Sequence, residues 1–385
     1  MSKLLRLSTA VVALALVGLV GCIPALKDPG DATKIRLVSS TTSGGWTYDY
    51  YRNTAYPCAV SGYQTFTVAT KVGSSATATR PLWVKMHGGG VGYFSPTTGA
   101  AMPNDKQKVE EGPAAQRSQI DGIVIDKVRA DASGFRLMSV SMCDHDLYGG
   151  PNIADPNNPG TIPGGQPRTV NGLYATKAAI QFVQAKYPTD DFFLHGGSAG
   201  SVGSYNVGWS LQQQGLAPTG IVADSGVLNI QWQDAQADDP ECGRTDEALT
   251  EIPKRLHPDL VDPANQPDRL VATGRLTVPL IDVYSTNDPN PCGNQPMACP
   301  LPDGSHPTMG SADCMHAPIR LAIAGQGRRS KSLSMRLCVS PAGKSGTCDV
   351  HTSTMKTGLT NTLAPWPADY SAPIIDWVHA RQSDD

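Results

Sequence analysis

One serine in this chain is placed by its neighbours to act as a nucleophile. The pentapeptide Gly196-Gly197-Ser198-Ala199-Gly200 follows an apolar run, Phe192-Phe193-Leu194, and precedes a stretch of helical character from Ser201 to Gln214 that closes near Gly215. Where a strand turns sharply into a helix, the two backbones pass close together two residues before and two after the turn. A Cβ would collide at those positions, and the sequence has glycine at both. With 39 glycines in 385 residues the pattern alone also fits an ordinary Gly/Ser turn, so context has to decide. A second motif supplies it: the strand-like Pro81-Leu82-Trp83-Val84-Lys85-Met86 runs straight into His87-Gly88-Gly89-Gly90. Three consecutive glycines let backbone N–H groups converge on one small volume and stabilise a developing oxyanion. A hydroxyl nucleophile and a set of oxyanion donors together imply acyl transfer.

A serine hydroxyl is a weak nucleophile at its own pKa and needs a histidine base held by a carboxylate. With a strand-turn-helix nucleophile the acid and then the histidine follow in the chain, each on a loop after a strand. Among the eight histidines, His87 and His195 belong to the two motifs, and His145 and His257 lack the strand-then-terminal-helix context. His306, His316 and His379 follow the serine. His351 alone lies after the last predicted strand (332–339) and before the predicted terminal helix (368–381). His316 is the alternative, read at the start of a helix predicted from 317 to 325. For the acid, Asp288 closes the apolar strand predicted over 276–284. Asp224, ending a short strand over 220–223, is the alternative, and its structural role would be to bind loop amides near the serine. The oxyanion donors expected on this reading are the amides of Ala199 and of Gly88, Gly89 and Gly90.

The elements that must position these residues alternate between strand and helix. That implies an α/β fold with a mainly parallel sheet, helices on both faces and long loop insertions. One catalytic domain is expected over 34–385. It opens with exposed antiparallel strands at 34–40 and 64–72, and the tyrosines between them (Tyr48, Tyr50, Tyr51, Tyr56) read as a packed edge. A strand predicted over 136–142 delivers Cys143-Asp144-His145-Asp146, whose neighbouring side chains would diverge on a strand and so are not read as a metal site. The Pro-, Gly- and Asn-rich stretch 151–171 has no periodicity and is read as a substrate-shaping loop. A helix is predicted over 172–186, and 228–265 reads as a small cap.

Residues 1–21 have the form of an export signal: Lys3 and Arg6, then a mostly apolar run to Val20. The ending Leu19-Val20-Gly21-Cys22 resembles a bacterial lipobox, which implies lipidation of Cys22, a tether over 22–33 and an address in the cell envelope, in the outer membrane if there are two; the alternative is a simple secretory signal cleaved near here and a secreted protein. Eight cysteines remain: Cys58, Cys143, Cys242, Cys292, Cys299, Cys314, Cys338 and Cys348. An even number in an exported chain, with no C-x-x-C pair, reads as disulfides and not as a metal site. Local spacing favours Cys338 with Cys348 and Cys292 with Cys299. A net charge of −3 gives no basis for nucleic-acid binding, and no cofactor is implied.

From about Pro81 onward the chain resembles bacterial serine esterases of the α/β-hydrolase fold, and among them the pectin acetylesterase and Notum carboxylesterase group. The residues carrying the likeness are the triple glycine after a strand, Cys143-Asp144, Gly197-Ser198-Ala199-Gly200 and Ala223-Asp224-Ser225-Gly226. The chain departs from that group with Val91-Gly92-Tyr93 after the glycines and Gly197 before the serine, and its His87 tetrad is also similar to hormone-sensitive-lipase-like esterases. The resemblance implies Ser198, Asp288 and His351 as the triad, with Cys348 preceding the histidine. The expected activity is hydrolysis of acetyl or other short acyl esters, on extracellular polysaccharide. A lipase, polyester depolymerase or peptidase on the same triad, or a non-catalytic surface-binding lipoprotein, are the alternatives.

Overall fold

Two neighbouring parallel strands, one ending in the triple glycine and the other in the serine, form the centre of the sheet. The computed structural model describes residue 26 and residues 31–75, 77–102, 110–158, 160–228, 246–290, 292–327, 330–344 and 346–382. The segment read as an export signal, Cys22 and Cys242 lie outside them. Three antiparallel strands, β1 (Ile35–Ser43), β2 (Trp46–Asn53) and β3 (Gln64–Lys71), lead into β4 (Leu82–Met86), β5 (Arg136–Val140), β6 (Phe192–Gly197), β7 (Gly220–Asp224), β8 (Leu280–Ser285) and β9 (Leu333–Leu337). Their spatial order is β1-β2-β3-β5-β4-β6-β7-β8-β9. β3 meets β5 antiparallel, and every pairing from β5 to β9 is parallel. This is the order of the α/β-hydrolase fold. The direction of travel across the sheet reverses between β4 and β6, and at such a reversal the loops leave a crevice at the carboxyl ends of the strands.

Alternation along each central strand feeds two cores. Val84, Met86 and Leu194 face one side, covered by α3 (Gly172–Lys186), α4 (Ala199–Gln213) and α5 (Ser311–Gly325). Trp83 and Phe193 face the other with Val222, Ile281 and Val283, under α2 (Ile123–Ala130) and the terminal helix α6 (Ser371–Gln382). A strand buried on both faces has no polar side to show, which is why these runs read as continuously apolar. Trp83 meets Phe193 and Phe135 at centroid distances of 5.7 and 6.0 Å, a ring cluster that locks β4 to β6 on this face.

Several elements differ from expectation. The tyrosine-rich stretch is itself a strand, β2, and Tyr51 stacks on Phe66 at 4.9 Å. The short helices α1 (Pro113–Gln119) and α2 have no counterpart in the sequence reading, because each is too brief to show a period. α5 begins at Ser311, six residues before the predicted start, so His316 lies inside the helix; Pro318 draws a boundary in the sequence that the folded helix does not respect.

Cys338 pairs with Cys348, as local spacing suggests, and Cys58 pairs with Cys143 across 85 residues. The expected pairing of Cys292 with Cys299 is wrong: Cys299 bonds to Cys314. A small hairpin, Pro296–Ala298 against Thr308–Gly310, reverses the chain after Cys299 and starts α5 beside it, bringing the two Cα atoms to 5.4 Å. A loop of that length contributes about 3 kcal/mol by restricting the unfolded chain. The double variant Cys299→Ser/Cys314→Ser should therefore lose stability of that order in urea unfolding, and an unchanged midpoint would contradict the account.

Candidate active site

Ser198 lies between β6 and α4 with φ 56° and ψ −122°, a backbone conformation that a side chain rarely adopts. Strain of this kind costs about 1–3 kcal/mol and persists only where the surroundings enforce it. Here the glycines of the turn itself and two other segments do. The Ser198 N–H donates to the Asp224 carbonyl on β7 at 2.8 Å. A Cβ on Gly196 would stand 1.9 Å from the Gly200 carbonyl oxygen, and one on Gly200 would stand 2.0 Å from that of Met86. Gly226 is pressed against the Ser198 carbonyl, where a Cβ would come within 2.3 Å, and a Cβ on Gly88 would lie 2.9 Å from Ser198 Cβ. The glycines of both motifs are thus a steric requirement of one turn.

The predicted base and acid meet. His351 Nδ1 lies 2.8 Å from Asp288 Oδ2, while Asp288 Oδ1 accepts the Asn290 N–H at 2.9 Å, so the carboxylate is oriented from both oxygens. The pair rests on the end of β8, where Ser285 Oγ donates to the Cys348 carbonyl at 2.6 Å and accepts the Val339 N–H at 3.1 Å. The disulfide between Cys338 and Cys348 closes the same loop just before the histidine. His351 Nε2 is buried without a hydrogen-bond partner among the described residues.

His351, Ser198, Gly88, Gly89 and Gly90 line one cleft of about 640 Å³. Gly89 (φ 140°) and Gly90 (φ 72°) adopt conformations favouring glycine, and Ala199 is the first residue of α4, where a helix leaves its amides without internal acceptors. The glycine loop is anchored behind by His87, whose Nε2 is 3.1 Å from Glu111 Oε1, and by the Tyr148 hydroxyl, which donates to the His87 carbonyl at 3.0 Å. Burial pushes the Glu111 carboxyl up, but the bond and charge of His87 outweigh it and hold the group below its ordinary value.

The two alternates go elsewhere. His316 Nδ1 pairs at 2.8 Å with Asp282, inside β8, and its ring stacks on Tyr284 at 4.1 Å; it does not line the cleft. Asp224 is wholly buried and accepts from both the N–H and the hydroxyl of Thr354 at 2.7 Å and from the Ser225 hydroxyl at 2.9 Å. Ser225 in turn accepts the Thr352 N–H at 3.1 Å. The line continues outward: Thr354 Oγ1 accepts from His195 Nε2 at 2.8 Å, and His195 Nδ1 accepts from the Trp83 indole at 3.2 Å. Burial and the nearby Lys85 charge hold the His195 imidazole well below its ordinary pKa, in agreement with one donating and one accepting nitrogen. Burial raises the Asp224 carboxyl above its ordinary value, opposed by the Thr354 and Ser225 bonds. Asp224 thus grips both the turn of the serine and the loop of the histidine.

Two further sequence readings change. Cys143–His145 is a 3-10 turn with Asp144 at φ 64° and His145 at φ 49°, so strand alternation is not what separates its side chains. Asp144 and Asp146 both turn toward the start of α3, accepting the Asn171 and Gly172 N–H groups at 2.9 and 2.8 Å. The stretch 151–171 contributes no described residue to the cleft; it carries Asp155, which forms a buried ion pair with Arg255. What the sequence reading missed is the wall supplied by Lys85, Gln119, Asp121 and Met355. Lys85 had a signal: it is the one charge in an otherwise apolar strand.

Asp224→Asn retains the shape but offers an amide to the Thr354 donors. It should cost about 1–3 kcal/mol of stability and speed hydrogen exchange at the Thr352 and Thr354 amides. Exchange equal to the parent protein at both would refute the gripping role.

No protein-family model matches the chain, and no curated protein is similar to it. Among solved structures, an S-formylglutathione hydrolase from Agrobacterium tumefaciens aligns at 11% identity and a TM-score of 0.43, over 78% of this chain and 90% of that one. Carboxyl esterase 2 from Tuber melanosporum aligns at 13% and 0.44 over 90% of each chain. Brefeldin A esterase, a bacterial homologue of human hormone sensitive lipase, aligns at 13% and 0.39 over 90% of this chain and 76% of that one.

Proposed function

We propose that this protein is a serine carboxylesterase that hydrolyses acetyl or other short acyl esters, on extracellular polysaccharide. The observation carrying the proposal is the His351–Asp288 contact at 2.8 Å in the same cleft as a serine with strained backbone and a loop of glycine amides. On this reading Ser198 Oγ attacks the ester carbonyl, and His351 Nε2 takes the proton and later delivers it to the departing alcohol. Asp288 holds the imidazole tautomer and stabilises the imidazolium. The amides of Ala199 and Gly88–Gly90 receive the negative charge on the carbonyl oxygen, each worth about 3 kcal/mol in the transition state. Water, activated by the same histidine, then releases the acid.

Hydrolysis of 4-nitrophenyl acetate tests the reading directly. Ser198→Ala should remove nearly all of the rate, and Asp288→Asn should lower kcat by roughly 10⁴-fold through the wrong tautomer. A Ser198→Ala protein as fast as the parent would end the proposal. Across an acyl series, rates falling beyond acetate support a deacetylase, and rates rising with length point to a lipase.

The same reading makes the chain an envelope lipoprotein, supported by Lys3, Arg6, the apolar run to Val20 and Cys22, and by the three disulfides among the described residues. Cells expressing it with radiolabelled palmitate should label the parent chain and not Cys22→Ala. Equal labelling would remove the anchor.

A further inference from the structure

The wall that the sequence reading missed contains a cation with too few partners among the described residues. Lys85 lies on β4, two residues before the glycine loop, and is 4% exposed, yet it lines the cleft together with Ser198 and His351. Among the described residues, the one hydrogen-bond contact of its ammonium is the thioether sulfur of Met355, a weak acceptor. Met355 itself lies over the nucleophile turn: a Cβ on Gly197 would meet its Cε and Cγ at 2.9 Å. The ammonium is therefore one side chain away from Gly197, the residue before the nucleophile.

The carboxylates around Lys85 do not complete it. Asp224 faces it from β7, but its oxygens are occupied by Thr354, Ser225 and Ser353. Asp121 faces it from the segment between α1 and α2, is exposed, and uses Oδ1 for the Gly122 N–H. Neither forms an ion pair with Lys85 among the described residues. The facing group on β6 is His195, held neutral. A buried ammonium with open donors is unfavourable unless an anion or strong acceptors fill them. The position of these donors, on the floor of the cleft beside the nucleophile, says where that partner comes from.

We infer that Lys85 is a specificity residue that binds a carboxylate carried by the ester substrate close to the bond that is cleaved. The inference rests on the esterase reading above and narrows it to anionic esters. The carboxylate belongs to either the acyl or the alcohol half, and the probes separate these. Burial lowers the Lys85 pKa to about 8, against the pull of Asp224 and Asp121, so the ammonium is charged below that pH and the preference should fade as pH rises through it.

The test compares kcat/KM for two matched pairs: 4-nitrophenyl hydrogen adipate against 4-nitrophenyl hexanoate for the acyl half, and 3-acetoxybenzoate against 3-acetoxybenzamide for the alcohol half. In one pair the charged-to-neutral ratio should fall by about tenfold or more in Lys85→Met, the size expected for one charge-assisted hydrogen bond. In the parent protein that ratio should decline between pH 7 and pH 9, and in the variant it should be flat. Taking ratios cancels any pH effect common to both esters and any general loss of activity. Ratios that agree within twofold between parent and variant in both pairs overturn the assignment. Calorimetric titration of adipate and 3-hydroxybenzoate into both proteins keeps the question open to an answer if no ester is cleaved. Inert esters with tenfold weaker binding in Lys85→Met would sink the esterase reading and keep the anion site, whereas equal binding would sink the site.

Discussion

The architecture of the site depends on one peptide unit held in an unfavourable conformation. Ser198 can keep a positive φ because four glycines from three parts of the chain leave no room for any other path. Gly88 comes from the loop after β4, Gly196 and Gly200 bracket the turn, and Gly226 closes from beyond β7. The sheet order makes this meeting possible. Only where β4 and β6 are neighbours, at the reversal of direction, do the two glycine-bearing loops leave the sheet side by side.

A second constraint links that turn to the histidine. Asp224 accepts from the serine turn through its backbone and from the 352–354 segment through its side chain, so the two loops share one buried anchor. The chain of bonds from Trp83 through His195 and Thr354 to Asp224 runs across β4, β6 and β7 beneath the cleft. Each donor in it has one acceptor, which is the condition under which a buried polar network rigidifies a structure and does not weaken it.

Much of this was legible beforehand because it rests on local rules. Glycines flanking a serine, a triple glycine after a strand, and a histidine between the last strand and the last helix are positions in the chain, and the structure brings those residues to one cleft. What escaped depends on the third dimension. The partner of Cys299 is decided by a hairpin that periodicity does not reveal, and α1 and α2 are shorter than the windows in which a helical period can be seen. Lys85 stood out as the one charge in its strand, but nothing in the sequence says that its neighbours on β6 and β7 would be a neutral imidazole and an already satisfied carboxylate. The roles of Asp144 and Asp146 were similarly hidden, because a turn with left-handed residues replaces the strand geometry assumed for them.

The cystine that precedes the histidine ties this chemistry to its surroundings. Cys338 and Cys348 fasten the loop three residues from the imidazole, so its grip on that ring is complete only where thiols are oxidised. Reduction of that bond would leave the loop to its hydrogen bonds with Ser285, Ser225 and Asp224. The chemistry proposed for this cleft is thereby coupled to the redox state of whatever surrounds the chain.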